Sequence, residues 1–403
     1  MIIAQNVDLA PTLRGWETAA ANAFDIAFFT ANWTAGASFD FGHTFTRVSP
    51  YDLVKAAGNT FCCDQSITYI PRINTFVWVL LSAEGPIVMA VASPDQIRDS
   101  RGRSWTFYHL TPRTFHFKND EFDYPDVAFG DNFLYLTFNS QKQGGAIILR
   151  YPLQQIGEKT TIAGQFVHFT DPSYIGPAQL TGDRGWFGTR LNSATLRVYG
   201  GAETQSAGIT HFDVPVATVP SEDWSSLTPD EEDWLPPSSK IDTAVTGVAR
   251  AGPELRLAWS GARKISGRDQ NAFPHPHIGI AVISLQGRRL IAQKYLWSRD
   301  HAYAWPSLAA NPALEVGISF AYGGGRTRFP QHGVGTVRRK WEFMLTTSGR
   351  TTGSGGHFVR IRTSFPNVDD FVAGGYIALN DPKRPDSPTK VVNHPHYVVF
   401  RSA

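Results

Sequence analysis

At 403 residues the chain could hold two or three ordinary domains, although all-β folds often run that long as a single unit. Its 36 glycines and 26 prolines are spread along the chain, aromatics make up 13% of it, and no stretch keeps a helical period of apolar residues, which points to an all-β protein. The formal charge of +2, with both signs intermixed, gives no general attraction to nucleic acid or to a membrane surface.

The start, MIIAQNVDLAP, has no basic segment and only three leading apolar residues, so it does not read as a signal peptide. Either the protein is cytosolic or this chain begins after processing. The next strand signals are at 25–31, 33–38 and 44–48, three strands of a first unit whose innermost strand the sequence does not reveal. From Phe61 to Thr111 the pattern becomes explicit. Strands at 66–70, 76–82, 87–92 and 104–110 are rich in β-branched and aromatic residues and separated by turn chemistry at 71–74, 83–86 and 94–102. The most apolar part, 76–92, is broken by Glu84-Gly85-Pro86 and is too short to cross a bilayer, so no membrane insertion is expected.

The same phrase then returns, not in letters but in pattern. Taking Asp64, Asp126, Ala178, Asp242, Pro306 and His357 as markers, the steps are 62, 52, 64, 64 and 51 residues. Each marker opens a short strand, a turn and an aromatic-rich second strand, as at 133–139, 186–191 and 255–260. With no helix available to cover them, such sheets must stack on one another, and radial stacking makes a β-propeller. The units run roughly 8–55, 61–112, 124–170, 176–218, 241–298, 303–348 and 356–403. That predicts one domain, a single propeller of seven four-stranded antiparallel blades, with six as the alternative count. The last unit shows three strands, at 358–363, 371–379 and 396–400, leaving 2–7 to supply the fourth and close the circle. Two packed sandwiches would need a linker, for which the acidic, proline-rich run 220–239 is the one candidate; it reads instead as a long loop between the fourth and fifth units.

Ser38-Phe39-Asp40-Phe41-Gly42-His43-Thr44-Phe45 fits S-x-D-x-G-x-T-[W/F]. Gly42 permits a positive φ, Asp40 can bond turn amides and Phe45 can plug between sheets. This segment resembles the Asp box (BNR repeat) of the sialidase-like propellers, where it occupies a hairpin between the third and fourth strands of a blade, away from the ligand. Asp99 to Trp105 is a degenerate second copy without the spacing. The wider run from Asn32 through Asp64 and Tyr124-Pro125-Asp126 is similar to bacterial propeller proteins of unassigned function, many of them exported, and the resemblance implies a secreted or periplasmic protein. It carries over no catalytic residue. The arginine motif near the start of true sialidases has no counterpart, since Tyr69-Ile70-Pro71-Arg72 has the wrong order.

In a propeller, the connections into the innermost strands and the loops between second and third strands emerge on one face, around the axial channel. This rule brings together Asp64, Gln65, Asp126, Gln179, Asp242, Trp305 and His357 from the first set. From the second set it brings Lys142, Arg263, Lys264, Arg268, Arg326 and Arg328. Asp64, Asp126 and Asp242 are the candidate acid, base or nucleophile for glycosidic cleavage, provided two stand roughly 5–10 Å apart. The competing reading is that each caps backbone amides where its strand begins. Gln65, Gln179, Arg263, Arg268, Trp305, Arg326, Arg328 and His357 are the candidate ligand contacts, and the arginines would suit an acidic glycan unless they are simply solvated surface.

Cys62 and Cys63, the only cysteines, precede Asp64 and exclude a conventional disulfide framework. Joined in a vicinal ring they would need an oxidising compartment and offer a flat apolar platform to the ligand; reduced, they are a partly buried pair. His275-Pro276-His277 and His394-Pro395-His396 have a spacing that zinc sites use, but no third ligand follows either pair, so no metal and no cofactor is expected. The functional expectation is a propeller that binds a glycan and acts on it as a glycoside hydrolase or polysaccharide lyase. The alternative is a non-catalytic lectin or protein-interaction scaffold.

Overall fold

The apolar runs become strands because each is packed on both faces of its sheet. Thr75–Ser82, the second strand of the second unit, is buried along its whole length. Successive side chains on a strand point to opposite faces. Phe76, Trp78 and Leu80 accordingly pack with Phe28, Ala35 and Ala37 of the preceding unit. Val77, Val79 and Leu81 pack with Val127, Leu134 and Leu136 of the following one. A sheet apolar on both sides has to sit between two others, and repeating that condition along the chain produces a ring.

The computed structural model describes all residues except 10–11, 14, 84, 219, 221–222, 236–243, 265–271, 338–340, 346–358 and 381–390, with the backbone alone at 337, 341–345, 378–380 and 391–393. Among the described residues there are seven antiparallel sheets of four strands, the blades of a propeller. Their innermost strands, in blade order, are Ala19–Ala23, Phe61–Ile70, Phe122–Phe129, Gly176–Pro177, Val245–Ala251, Ala302–Ala310 and Ile361–Thr363. In the seventh blade the outermost strand is the chain's own beginning, Ile2–Asp8, paired with Val391–Arg401 from Ile2↔Arg401 to Asp8↔His396. The two ends of the chain therefore close the ring together. Six blades and two sandwiches are both excluded, and the acidic run after residue 220 falls between blades four and five.

The innermost strand that the sequence hid is AAANA, which carries none of the residues that favour strands. The predicted turn at 94–102 holds a short helix, Pro94–Ser100, and two more occur at Pro50–Ala56 and Leu153–Glu158. Ser93 and Ser49 cap the first two by accepting from the Gln96 and Asp52 amides, each followed by proline in the first turn. The 38–45 segment joins the third and fourth strands of blade one. There Asp40 accepts from the Thr44 amide at 2.9 Å and the Thr44 hydroxyl at 2.6 Å, and Ser38 Oγ accepts from the Gly42 amide at 2.8 Å. Phe45 leans on Tyr397 of blade seven, with ring centres 5.3 Å apart.

Candidate functional site

The innermost strands begin on one face of the ring, here the proximal face, and their starts are irregular. Register shifts interrupt the pairing between Phe61 and Gln65, Asp123 and Asp126, Val245 and Gly247, and Ala304 and Ser307. Bulges of this kind re-aim side chains beside functional sites. Glu17, Tyr124 and Trp305, at the starts of blades one, three and six, have φ of 55°, 50° and 53°. Bulky side chains rarely adopt that region, and each instance costs about 1–3 kcal/mol, which the surrounding packing must offset.

Three carboxyl groups meet where blades one, two and three converge. Asp64 hydrogen-bonds to both Glu17 and Asp123. Glu17 also accepts from Asn32 Nδ2 at 2.6 Å, and Asp123 accepts from the Tyr124 amide at 2.9 Å and Gln141 Nε2 at 2.8 Å. Burial, and then the charges of Glu17 and Asp123, push the Asp64 carboxyl well above its usual range, with Arg360 opposing. Burial likewise raises Asp123. Like charges this close inside a low dielectric oppose one another's ionisation, so burial and the neighbouring acids both favour the neutral form of Asp64.

Asp126 behaves in the opposite way. It accepts from the Val127 amide at 2.8 Å, Ser66 Oγ at 3.1 Å and Arg362 Nη2 at 2.9 Å, and forms an ion pair with Arg360. Burial works to raise it, but the two guanidinium groups prevail and hold it below the ordinary carboxylate value. Arg362 also donates to the Ile67 carbonyl at 3.2 Å, and Arg360 to the Pro125 carbonyl at 2.8 Å. The arginines of blade seven thus reach across the axis to blades two and three. All three side chains are buried.

The remaining predicted residues divide between walls and rim. Gln65 is fully buried and uses its amide structurally, donating to the Ala31 and Thr34 carbonyls and accepting from Trp78 Nε1. Gln179 donates to the Val127 carbonyl at 2.6 Å. Trp305 packs edge-on against Trp234, in a cluster that includes Tyr376 and touches Trp16. On the rim, Arg263 is paired with Asp223, Arg326 with Glu231 at 2.5 Å and Lys142 with Glu121 at 2.8 Å, while Arg328 is exposed near His301 and Tyr303. Cys62 and Cys63 are joined by a disulfide and half-buried directly before Asp64. Asp242, Arg268 and His357 lie outside the described residues.

The histidine pairs do not converge. His277 stacks on Phe273 at 3.7 Å and is wholly buried, as is His396, while His394 lies 3.9 Å from Asp8. Among the described residues no group of three or more histidine, cysteine, aspartate or glutamate side chains is arranged to hold a metal. At the opposite mouth of the channel a cavity of about 430 Å³ is lined by the hairpin turns around Arg72, Gly130, Gly182, Arg250 and Leu314. Its guanidinium groups bond the Asp131 and Thr181 carbonyls, and it contains none of the predicted residues.

Sequence reasoning missed Glu17, Asp123, Arg360 and Arg362. Glu17 precedes the alanine strand that carried no signal. Arg360-Ile361-Arg362 did carry one: charges two apart in a stretch predicted to be a central strand put both on one face of a buried element.

No protein-family model and no curated protein matches the chain. In three dimensions it is similar to the BP39L lectin of Burkholderia pseudomallei, at 10% identity over 91% of this chain and 95% of that one, with a TM-score of 0.52. It also aligns with the GH93 α-L-arabinofuranosidase of Fusarium graminearum, at 10% identity over 99% and 98% of the two chains with a TM-score of 0.46. A third alignment is with the WD40 domain of SCAP from fission yeast, at 10% identity over 99% and 98% with a TM-score of 0.40. Identity this low speaks for the fold and not for the ligand, since propellers host many functions. The chain is a seven-bladed β-propeller whose proximal face holds Asp64 bonded to Glu17 and Asp123, and a buried aspartate, Asp126, held by two arginines.

Proposed function

We propose that the protein binds a neutral glycan on the proximal face and hydrolyses a glycosidic bond there. The observation that supports this is the hydrogen bonding of Asp64 to Glu17 and Asp123, where burial and the charges of both neighbours favour its neutral form. A carboxyl that neighbouring acids and burial favour in its neutral form is a proton donor for a leaving oxygen, although it stands closer to its neighbours than the roughly 5–10 Å that separates the two working carboxyl groups of most glycosidases. Asp64 gives its proton to the leaving oxygen as the bond from that oxygen to the ring carbon breaks. Glu17 and Asp123 stabilise the positive charge that develops on the carbon. Water adds to the carbon and returns a proton to the carboxyl cluster. Asp126 has a different part: it fixes Arg360 and Arg362 in the channel.

A neutral glycan suits the face better than the acidic one expected from the loops. Arg263 and Arg326 are already paired with Asp223 and Glu231, and the three carboxyl groups would repel an anion. The hydrogen bonds of the 38–45 turn support reading it as an Asp box, hence a sialidase-like propeller, and the Cys62–Cys63 disulfide supports export.

A second reading, a lectin without turnover, is favoured by one fact: Glu17 and Asp64 are each only 5% exposed, which suits groups that orient a ligand. The test is to incubate the protein with neutral and acidic polysaccharides and measure released reducing sugar. Hydrolysis predicts release from a neutral polysaccharide, abolished by Asp64→Asn. Equal release by that variant, or release from acidic polymers alone, would refute the assignment, and binding without release would leave the lectin reading.

A further inference from the structure

Beside the carboxyl groups stands a side chain that none of the roles above employs. Trp33 occupies the two-residue turn between Ile26–Ala31 and Thr34–Ser38, on the proximal face, and is 39% exposed with φ of 66°. Hairpin turns place glycine or asparagine where φ is positive, because a Cβ crowds the backbone there. Tryptophan at that position is strained and leaves a large apolar ring in water, so local stability argues against it twice.

The turn is nevertheless held firmly. The Asn32 amide donates to the Trp16 carbonyl at 2.8 Å, and Asn32 Nδ2 donates to Glu17. From blade two, Gln65 Nε2 donates to the carbonyls on both sides of the turn, Ala31 at 2.7 Å and Thr34 at 3.1 Å. A Cβ on Gly15 would stand 2.5 Å from the Asn32 carbonyl, so the approach of the 15–17 segment depends on that glycine. Trp33 and Trp16 are perpendicular with centres 4.9 Å apart, which leaves at least one face of the Trp33 indole uncovered by Trp16. A strained, rigidly mounted, exposed ring linked through one asparagine to a carboxyl of the site has the properties of a ligand clamp.

We infer that Trp33 is a sugar-stacking subsite, which packs the apolar face of one neutral sugar ring of the glycan whose neighbouring unit lies at Glu17, Asp64 and Asp123. This rests on the glycan reading above and adds to it the residue that sets how many sugar units the face grips. Gln65 and Asn32 are positioning residues for it, which gives the buried Gln65 amide a purpose.

The experiment compares wild type, Trp33→Gly and Trp33→Phe by calorimetric titration with neutral oligosaccharides of two to six units derived from xylan, mannan, galactan, glucan and arabinan, with melting temperature measured in parallel. Trp33→Gly should bind about tenfold more weakly, the size of one aromatic contact. Because glycine relieves the turn, it should melt within about two degrees of wild type or higher. Trp33→Phe should keep most of the affinity. Unchanged affinity in Trp33→Gly would overturn the subsite while leaving the glycan reading intact. A collapse of its melting temperature would overturn it too, by showing that the ring is structural. Failure of the wild type to bind any member of the panel would overturn the glycan reading, and the subsite with it.

Discussion

Asp64 and Asp126 lie within the innermost strands of adjacent blades, and replacing each with asparagine should move stability in opposite directions. Asp126→Asn leaves Arg360 and Arg362 buried without their counter-charge. Breaking a buried pair from one side costs about 3–5 kcal/mol. At about 2.1 cal/mol/K of unfolding entropy per residue, 403 residues give roughly 0.85 kcal/mol per degree, so the midpoint should fall by about 4–6 °C. Asp64→Asn removes a member of a crowded carboxyl group and should leave the midpoint unchanged or raise it. The pH dependence separates them further. Asp126 is held below its usual 3.8, so its contribution is complete above that value and disappears as acid protonates it. Asp64 is raised above 3.8, so its unfavourable contribution grows as pH climbs from there towards its folded value. Thermal melts of both variants at pH 4.5 and 7.5 should show a deficit for Asp126→Asn at both and a gain for Asp64→Asn that is larger at the higher pH. An Asp126→Asn midpoint equal to wild type, or a larger loss in Asp64→Asn, would refute the division of roles.

Acid should weaken the ring through its buried histidines. Burial lowers His277 and His332 to about 3 and His396 to about 4, against 6.5 in the unfolded chain. Their stabilisation is complete above 6.5 and falls with pH below it by roughly 1.4 kcal/mol per unit per histidine; a urea midpoint that stays flat from pH 7 to 5 would contradict this. Gly375→Ala should destabilise the junction of blades six and seven by about 1–3 kcal/mol, because overpacking a buried site forces displacement. Its Cβ would stand 2.0 Å from Nδ1 of His332, a fully buried ring fixed by Ser319 Oγ at 2.8 Å, and an unaltered melting temperature would show that the ring yields freely.

The blades were legible because a sheet packed on both faces needs continuous apolar strands, and 76–82 and 87–92 announce themselves in that way. Closure by the first strand was legible from a shortage, since the last unit lacked one member and residues 2–7 were left over. The first blade's inner strand was not, because near a crowded axis alanine can replace the β-formers that normally signal a strand. The short helices were marked by Ser49-Pro50 and Ser93-Pro94, caps whose meaning was lost among turn residues. The site was half legible. Repeat spacing singled out Asp64 and Asp126, but spacing cannot say whether an aspartate will meet two arginines or two acids. That depends on Glu17 and on Arg360 and Arg362, which come from blades at opposite ends of the chain and meet these aspartates only when the ring closes.

The proposed role of Asp64 as proton donor requires that a proton reside among Glu17, Asp64 and Asp123 at neutral pH. Infrared difference spectroscopy of wild type against Asp64→Asn, with the protein in heavy water at pH 7, tests it directly. The account predicts a protonated-carboxyl stretch in wild type that the variant lacks. A spectrum in which wild type shows only ionised carboxylates at that pH would contradict it.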